Sequence, residues 1–324
     1  MSFSNSSRVA LDLRGVRLSL ERDALMELPE SVLLCLFPNG VVLSPQRMPR
    51  QDGEVDDEEE DVYYVDFDAQ CLEFVLDFFT TARDAFYGPP EGPRRDLSLT
   101  SPIAQSNMQN PLFLKQAIIV LREELEYFAI PPKGTAAEGL PRAPGAPEGE
   151  LPGTDEAGKP NKSLLKLKVD CGNALLDRRS IFTALQRNVN RENNVAEQHL
   201  IDMLCMSGFE RDDVWGYRSL EPNRCCIASI ALVLLKTGII HPPISDSSSP
   251  GSESAEGASD DGTGGVQVNA QQLATAQKLL LFWRKPARKC WWDATDLTIN
   301  KGTAHEREIK VWARRVWTLE LSLI

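Results

Sequence analysis

An α+β protein built in about two parts is what this sequence predicts, and three observations carry that prediction. Apolar residues alternate with polar ones on both sides of a glycine near the start, at Val9, Leu11, Leu13 and then Val16, Leu18, Leu20. This period of two marks a β-hairpin with one buried face. Helical spacing and short strand-like runs follow, until Gly134 to Asn161, where Pro, Gly, Ala and Glu dominate and no apolar period survives. Alternation then returns near the end, at Ile309, Val311, Ala313, Trp317, Leu319, Leu321 and Leu323. With 324 residues and 42% hydrophobic composition, the chain can fill two modest cores.

Taken in order, Arg14-Gly15 supplies the turn of the opening hairpin. Glu21 to Leu28 is a short helix stopped by Pro29, and Ser31 is the expected N-cap of a second one running to Phe37. Val41 to Leu43 reads as a strand, Asp52 to Asp61 as an acidic loop, and Val62 to Phe67 as a further strand. Asp68 is placed to cap a helix that carries Leu72, Val75, Leu76 and Phe79. Past a Pro/Gly/Arg-rich excursion, Tyr87 to Pro102, Asn110-Pro111 signals a helix start. Leu114, Ile118, Leu121, Leu125 and Phe128 extend it at helical spacing to Pro131-Pro132. This hairpin and closing helix would give Met1 to Pro132 a self-contained core.

Beyond the Pro/Gly segment, Leu165, Leu167 and Val169 suggest a strand. Helices are expected around Ile181 to Asn190, Val195 to Met206, Cys225 to Lys236 and Ala270 to Trp283. In the final strand Arg315 interrupts the apolar face, and Val316 falls on the opposite one. The expected division is an interaction domain over 8–132, a disordered linker over 133–163, and a second α+β domain over 164–324 with a disordered Ser/Gly/Asp insert at 245–265.

Charge narrows the function classes. The net charge of −12 comes wholly from residues 1–132, with 11 Lys+Arg against 23 Asp+Glu; the remainder carries 24 of each. A uniformly basic nucleic-acid binder is not expected. Seven cysteines at irregular spacing do not make a secreted disulfide framework. The Ser-rich start lacks a signal-peptide core, and the longest apolar run, Cys225 to Leu235, is about half a membrane span. The expectation is a soluble protein of the cytoplasm or nucleus, with reduced thiols and no membrane span.

The order strand, strand, helix, helix, strand, strand, helix, helix over 8–132 resembles the BTB/POZ fold, in the subgroup related to the potassium-channel tetramerisation domain (the KCTD group). The resemblance rests on Val9-Ala10-Leu11-Asp12-Leu13-Arg14-Gly15-Val16-Arg17 and on Leu28-Pro29-Glu30-Ser31. It rests further on Tyr64-Val65-Asp66-Phe67-Asp68 leading into Phe74-Val75-Leu76-Asp77-Phe78-Phe79, and on Glu124-Leu125-Glu126-Tyr127-Phe128-Ala129-Ile130. Where that group has paired glycines at the hairpin turn, Arg14-Gly15 stands here. A wider resemblance, touching both halves, is to the fungal general-stress-response regulators. It is carried by Val62 to Asp68, by Lys115-Gln116-Ala117-Ile118-Ile119-Val120-Leu121-Arg122-Glu123-Glu124-Leu125, and by Trp312-Ala313-Arg314-Arg315-Val316-Trp317-Thr318-Leu319-Glu320-Leu321. It implies an adaptor that binds and activates a phosphatase; the BTB likeness implies self-association, with Asp66, Phe67, Asp68, Leu121 and Tyr127 as motif residues.

Catalytic and metal chemistry find little footing. The three histidines are His199, His241 and His305, so the first part has no His-based acid, base or ligand. No phosphate loop, nucleophile elbow or paired-carboxylate motif occurs, and Asp66/Asp68 stands where an N-cap is expected. The reading is a non-enzyme without a cofactor. His199, Cys205, Cys225 and Cys226 have a zinc-like spacing, but residues six apart on a helix point about 240° from each other. The acidic run Asp52 to Asp61 could dock basic partners or simply be a solvated loop. Lys278 to Arg315 interleaves ten basic and four acidic residues with Trp283, Trp291, Trp292 and Trp312. That pattern suits either nucleic acid or a core edged by outward charges, and the alternation at Lys310, Arg314 and Glu320 favours the core.

The candidate partner surface is therefore Trp312, Arg314 and Val316, on the face of the last strand opposite Ile309, Val311, Trp317 and Leu319. A phosphatase-binding adaptor in stress and growth signalling is the favoured function. The rival is a cullin-type ubiquitin ligase adaptor, which would call for a substrate-receptor repeat or a helical extension where the Pro/Gly segment stands.

Overall fold

The computed structural model describes residues 8–38, 62–95, 97, 110–130, 159, 161–192, 194–244 and 266–324. Strands β1 (Arg8–Leu13) and β2 (Val16–Glu21) form the expected hairpin, with Leu13 opposite Val16. Arg14 and Gly15 both take positive φ, 54° and 93°, as a two-residue primed turn requires, and Asp12 Oδ1 accepts from the Gly15 N–H at 2.7 Å. Helices α1 (Arg22–Met26) and α2 (Glu30–Leu36) follow. Strand β3 (Val62–Val65) then joins β1 in parallel, giving a sheet ordered β2-β1-β3. Helix α3 (Ala69–Tyr87) starts at Asp68, whose carboxylate accepts from the Cys71 N–H at 3.1 Å.

Next comes the largest departure from expectation. Asn110 does cap a turn, accepting from Leu112 N–H, but only the single 3-10 turn Pro111–Phe113 follows. Ala117–Ile130 is not a helix; it is a 14-residue strand, β4. Ala117 to Leu121 are all buried, so both faces of the strand are covered there. A run apolar on both faces satisfies helical spacing without being helical.

The later part holds two exchanges of the same kind. Leu165 to Val169 lie in helix α4 (Lys162–Leu176), so helix begins where the linker was expected to reach 163. Asn161 caps it, accepting from the N–H groups of Ser163 and Leu164. Cys226–Leu234 is a strand, β6, rather than a helix. Helices α5 (Thr183–Glu192), α6 (Val195–Ser207) and α7 (Ala270–Trp283) lie where they were expected. Strands β5 (Tyr217–Leu220), β9 (Ala287–Ile299) and β10 (Arg307–Leu323) join β6 and β4 in an antiparallel sheet ordered β5-β6-β4-β10-β9; β7 (Ile239–Ile240) and β8 (Gln267–Val268) make a small ribbon. The chain is α+β. The strand at 41–43, the acidic loop, most of the linker and the insert lie outside the described residues.

The sheet interleaves both halves of the chain. β4 pairs with β10 along its whole length, from Ala117↔Leu323 to Ile130↔Lys310, and with β6 on its other side. The element expected to close the first part is thus held between strands of the second. Odd-numbered residues of β4 and β10 face an inner layer. Ile119, Leu121, Trp317 and Leu319 pack there with α5, α6 and α7, while Leu125, Tyr127, Val311 and Ala313 pack with α4. Even-numbered residues face outward. Ile118 and Val120 form one core with β1, α2 and α3, and from Glu124 to Ile130 of β4 that face is open among the described residues.

Candidate partner surface on the open half of the sheet

Three neighbouring strands build the bare region. On β4 the burial alternates from Glu124 onward, leaving Phe128 50% exposed; on β10 Trp312 is 43% and on β9 Trp292 57% exposed. Phe128 and Trp312 are opposite each other, as are Arg314 and Trp292. The rings of Phe128 and Trp292 stack with centroids 5.9 Å apart and 29° between planes. Arg314 Nε lies 2.9 Å from Glu126 Oε2, with both side chains partly exposed. The result is an aromatic patch crossed by one ion pair. Such patches desolvate well and keep a charged handle at their rim.

Of the expected surface residues, Trp312 and Arg314 are exposed or half-exposed and Val316 is half-buried on the same face. Phe128, Trp292 and Glu126 complete the patch and were missed. Helical spacing hides the cross-strand neighbours of Phe128, and Trp292 gains its partner only through the pairing of β9 with β10. The tryptophans of the basic stretch divide: Trp283 is buried and Trp291 packs against the inner core, whereas Trp292 and Trp312 face out.

Arg315 corrects a second expectation. It does not interrupt the inner face of β10; it belongs to it. Glu123 Oε2 accepts from Arg315 Nη1 at 2.8 Å and from Trp317 Nε1 at 3.0 Å. Glu123 Oε1 accepts from Arg218 Nη1 at 2.8 Å, which also reaches Ser229 Oγ. Burial alone would push the Glu123 carboxyl up, but the guanidiniums of Arg315 and Arg218 outweigh it and hold the pKa below the usual carboxylate range. Burial pulls the Arg218 pKa down. This cluster joins four strands and is structural.

The motif residues serve the frame as well. Asp66 accepts from Arg14 Nε at 2.6 Å, and Phe67 packs against the outer core. Asp68 caps α3 and also accepts from Tyr217 Oη at 2.7 Å, tying α3 to β5. Leu121 is fully buried, on a strand rather than a helix. Tyr127 donates to the Lys168 carbonyl at 3.1 Å; burial, with Cys225 and Cys171 nearby, drives its pKa up. Of the zinc-like set, His199 and Cys205 ride α6 while Cys225 and Cys226 lie at the start of β6. Among the described residues no group of three or more His, Cys, Asp or Glu could hold a metal ion. Among them, too, no helix is long and apolar enough to cross a membrane.

Comparison with known proteins adds the family. No family model matches the chain. A WHI2-like protein of Schizosaccharomyces pombe is 32% identical over 313 residues, covering 96% of this chain and 86% of that protein. The chain belongs to the WHI2-like family. A second relative, named growth regulation protein, comes from Saccharomyces cerevisiae and is 27% identical over 463 residues, covering 98% of this chain and 91% of its own length. A third, an uncharacterised S. pombe protein, is 22% identical over 159 residues, covering 49% of this WHI2-like chain and 45% of its own.

Proposed function

We propose that this WHI2-like protein is a non-enzymatic adaptor in growth and stress regulation, working in the cytoplasm or nucleus by holding a phosphatase on the open half of its sheet. The observation that carries the reading is the exposed patch of Phe128, Trp292 and Trp312 around the Arg314–Glu126 pair. Large aromatics and arginine are the side chains that dominate binding energy at protein interfaces. The growth-regulation name of the S. cerevisiae relative supports the setting. The order β1-β2-α1-α2-β3-α3 supports reading the N-terminal unit as a BTB/POZ-like interaction module laid over the other half of the same face.

The test is affinity capture from the native cell, comparing the wild type with Trp312→Ala/Arg314→Ala. A phosphatase should co-elute with the wild type. The double variant should lose roughly 2 kcal/mol of binding, about thirtyfold in affinity, while its melting curve stays near the wild type. A folded double variant with full capture would remove this face from the interaction. Recovery of a cullin in place of a phosphatase would overturn the partner assignment.

A further inference from the structure

The five-stranded sheet has one short edge and one long one. β5 is four residues long and is flanked by α3 and α4. β9 runs for 13 residues and pairs with β10 in unbroken register, from Ala287↔Leu319 to Ile299↔Arg307. Among the described residues no strand pairs with its other side. Long edges are usually blunted by a bulge, an internal proline, brevity or charged side chains. β9 is long, unbroken and free of proline, so its charges are what guard it.

Its charges are sorted along its length. Arg288 and Lys289 lie in the first half, Asp293 and Asp296 in the second. Arg288, Trp292 and Asp296 are four residues apart, share the outer face and are all exposed. Among the described residues neither the Arg288 guanidinium nor the Asp296 carboxylate has an ion-pair partner within 4.0 Å; Lys310 stands opposite Asp296 across the ladder, and the Asp296 carbonyl accepts from Arg178 and Thr295. Such a strand is complementary to itself when reversed.

We propose that β9 pairs antiparallel with β9 of a second copy of this chain, about a two-fold axis at Trp292. In that register Arg288 of each copy stands opposite Asp296 of the other, so the ion pair occurs twice, and the two Trp292 positions face each other across the axis. Isologous contacts of this kind close on themselves and remove both edges at once. Neighbouring registers are poorer. Centring on Asp293 sets two carboxylates face to face, which is destabilising. Centring on Trp291 offers Lys289 to Asp293, but Lys289 is already paired with Glu197 at 3.1 Å and Asp293 with Arg187 at 2.8 Å. The dimer would join two aromatic patches across one continuous sheet. It stands independently of the phosphatase reading and of any self-association through the N-terminal unit.

Sedimentation equilibrium of the full chain tests it. The wild type should form a concentration-dependent dimer. Arg288→Asp and Asp296→Arg should each weaken it about tenfold, and their combination should recover most of the loss, because the opposed pair is rebuilt with signs exchanged. Near-ultraviolet circular dichroism checks that each variant is folded. As a second reading, Ala294→Cys places a thiol opposite Cys290 of the other copy, so mild oxidation should give a dithiothreitol-reversible covalent dimer. A wild type that stays monomeric at roughly 100 μM would overturn the proposal. So would a dimer indifferent to both charge reversals, or a combined variant no tighter than the singles.

Discussion

Glu123 on β4 and Arg315 on β10 are 192 residues apart in sequence and meet at 2.8 Å in the middle of the sheet, where both are buried. Arg218 binds the other carboxylate oxygen, so one anion serves two enclosed cations. Removing the anion leaves two uncompensated buried charges. Glu123→Ala should therefore cost roughly 3–5 kcal/mol, whereas replacing Glu123, Arg218 and Arg315 together by Leu, Met and Met should cost less. Urea unfolding of the two variants at neutral pH decides between them.

The same carboxylate sets a pH dependence. Its folded pKa lies below that of an unfolded glutamate, about 4.3, so its contribution is present in full above that value and is lost as pH falls through the folded pKa. Stability measured from pH 6 down to pH 3 should fall less steeply in Glu123→Gln than in the wild type. Parallel curves would remove Glu123 from the acid response.

A second long-range bond couples the N-terminal unit to the last strand. Glu320 Oε1 and Oε2 accept from the N–H groups of Glu30 and Ser31, at 2.7 and 2.9 Å, so the start of α2 is capped from β10. Ser31 itself lies in the first turn, and the capping position is Pro29, which has no side chain to offer. Arg122 adds a bond to the Ser31 carbonyl at 2.8 Å. Glu320→Ala should cost about 1–2 kcal/mol. A fragment ending at Pro132 would keep Ile118 and Val120 against its core but leave β4 unpaired on both sides. Such a fragment should aggregate or melt without cooperativity in calorimetry, and a sharp reversible transition would show that β4 does not need its neighbours.

The thiols give a further check. Burial pushes Cys71 and Cys171 up to about 12 and Cys226 up to about 11, while Cys290 is exposed on β9. The thiolate is the reactive form. Iodoacetamide at low protein concentration should modify Cys290 first, with the three buried thiols reacting only after denaturation. Peptide mass spectrometry that finds Cys71 labelled as fast as Cys290 would contradict the placement of α3.

Local signals were enough wherever an element announces itself within a few residues. The Arg14-Gly15 turn between alternating runs, the Asp68 cap ahead of α3, the helix at 270–283 and the alternation of β10 could all be read in the sequence. So could the opposition of Trp312 to Ile309 and Val311, which placed half of the candidate surface. The WHI2-like relationship was legible in the phrases at 62–68, 115–125 and 312–321.

Tertiary structure alone decided the rest. Ala117 to Leu121 and Ile230 to Leu232 are apolar at every position, because the strands that hold them are covered on both faces by different layers. Such runs carry no period by which strand and helix differ. Leu165, Leu167 and Val169 alternate for only five residues, and the Asn161 cap with the later contacts of Cys171 and Leu175 makes them a helix. Arg315 looked like a break in an apolar face until Glu123 and Arg218 were brought to it from strands far away in the chain. Phe128 and Trp292 became a surface in the same way, since the pairing of strands, a long-range event, determines which side chains share a face.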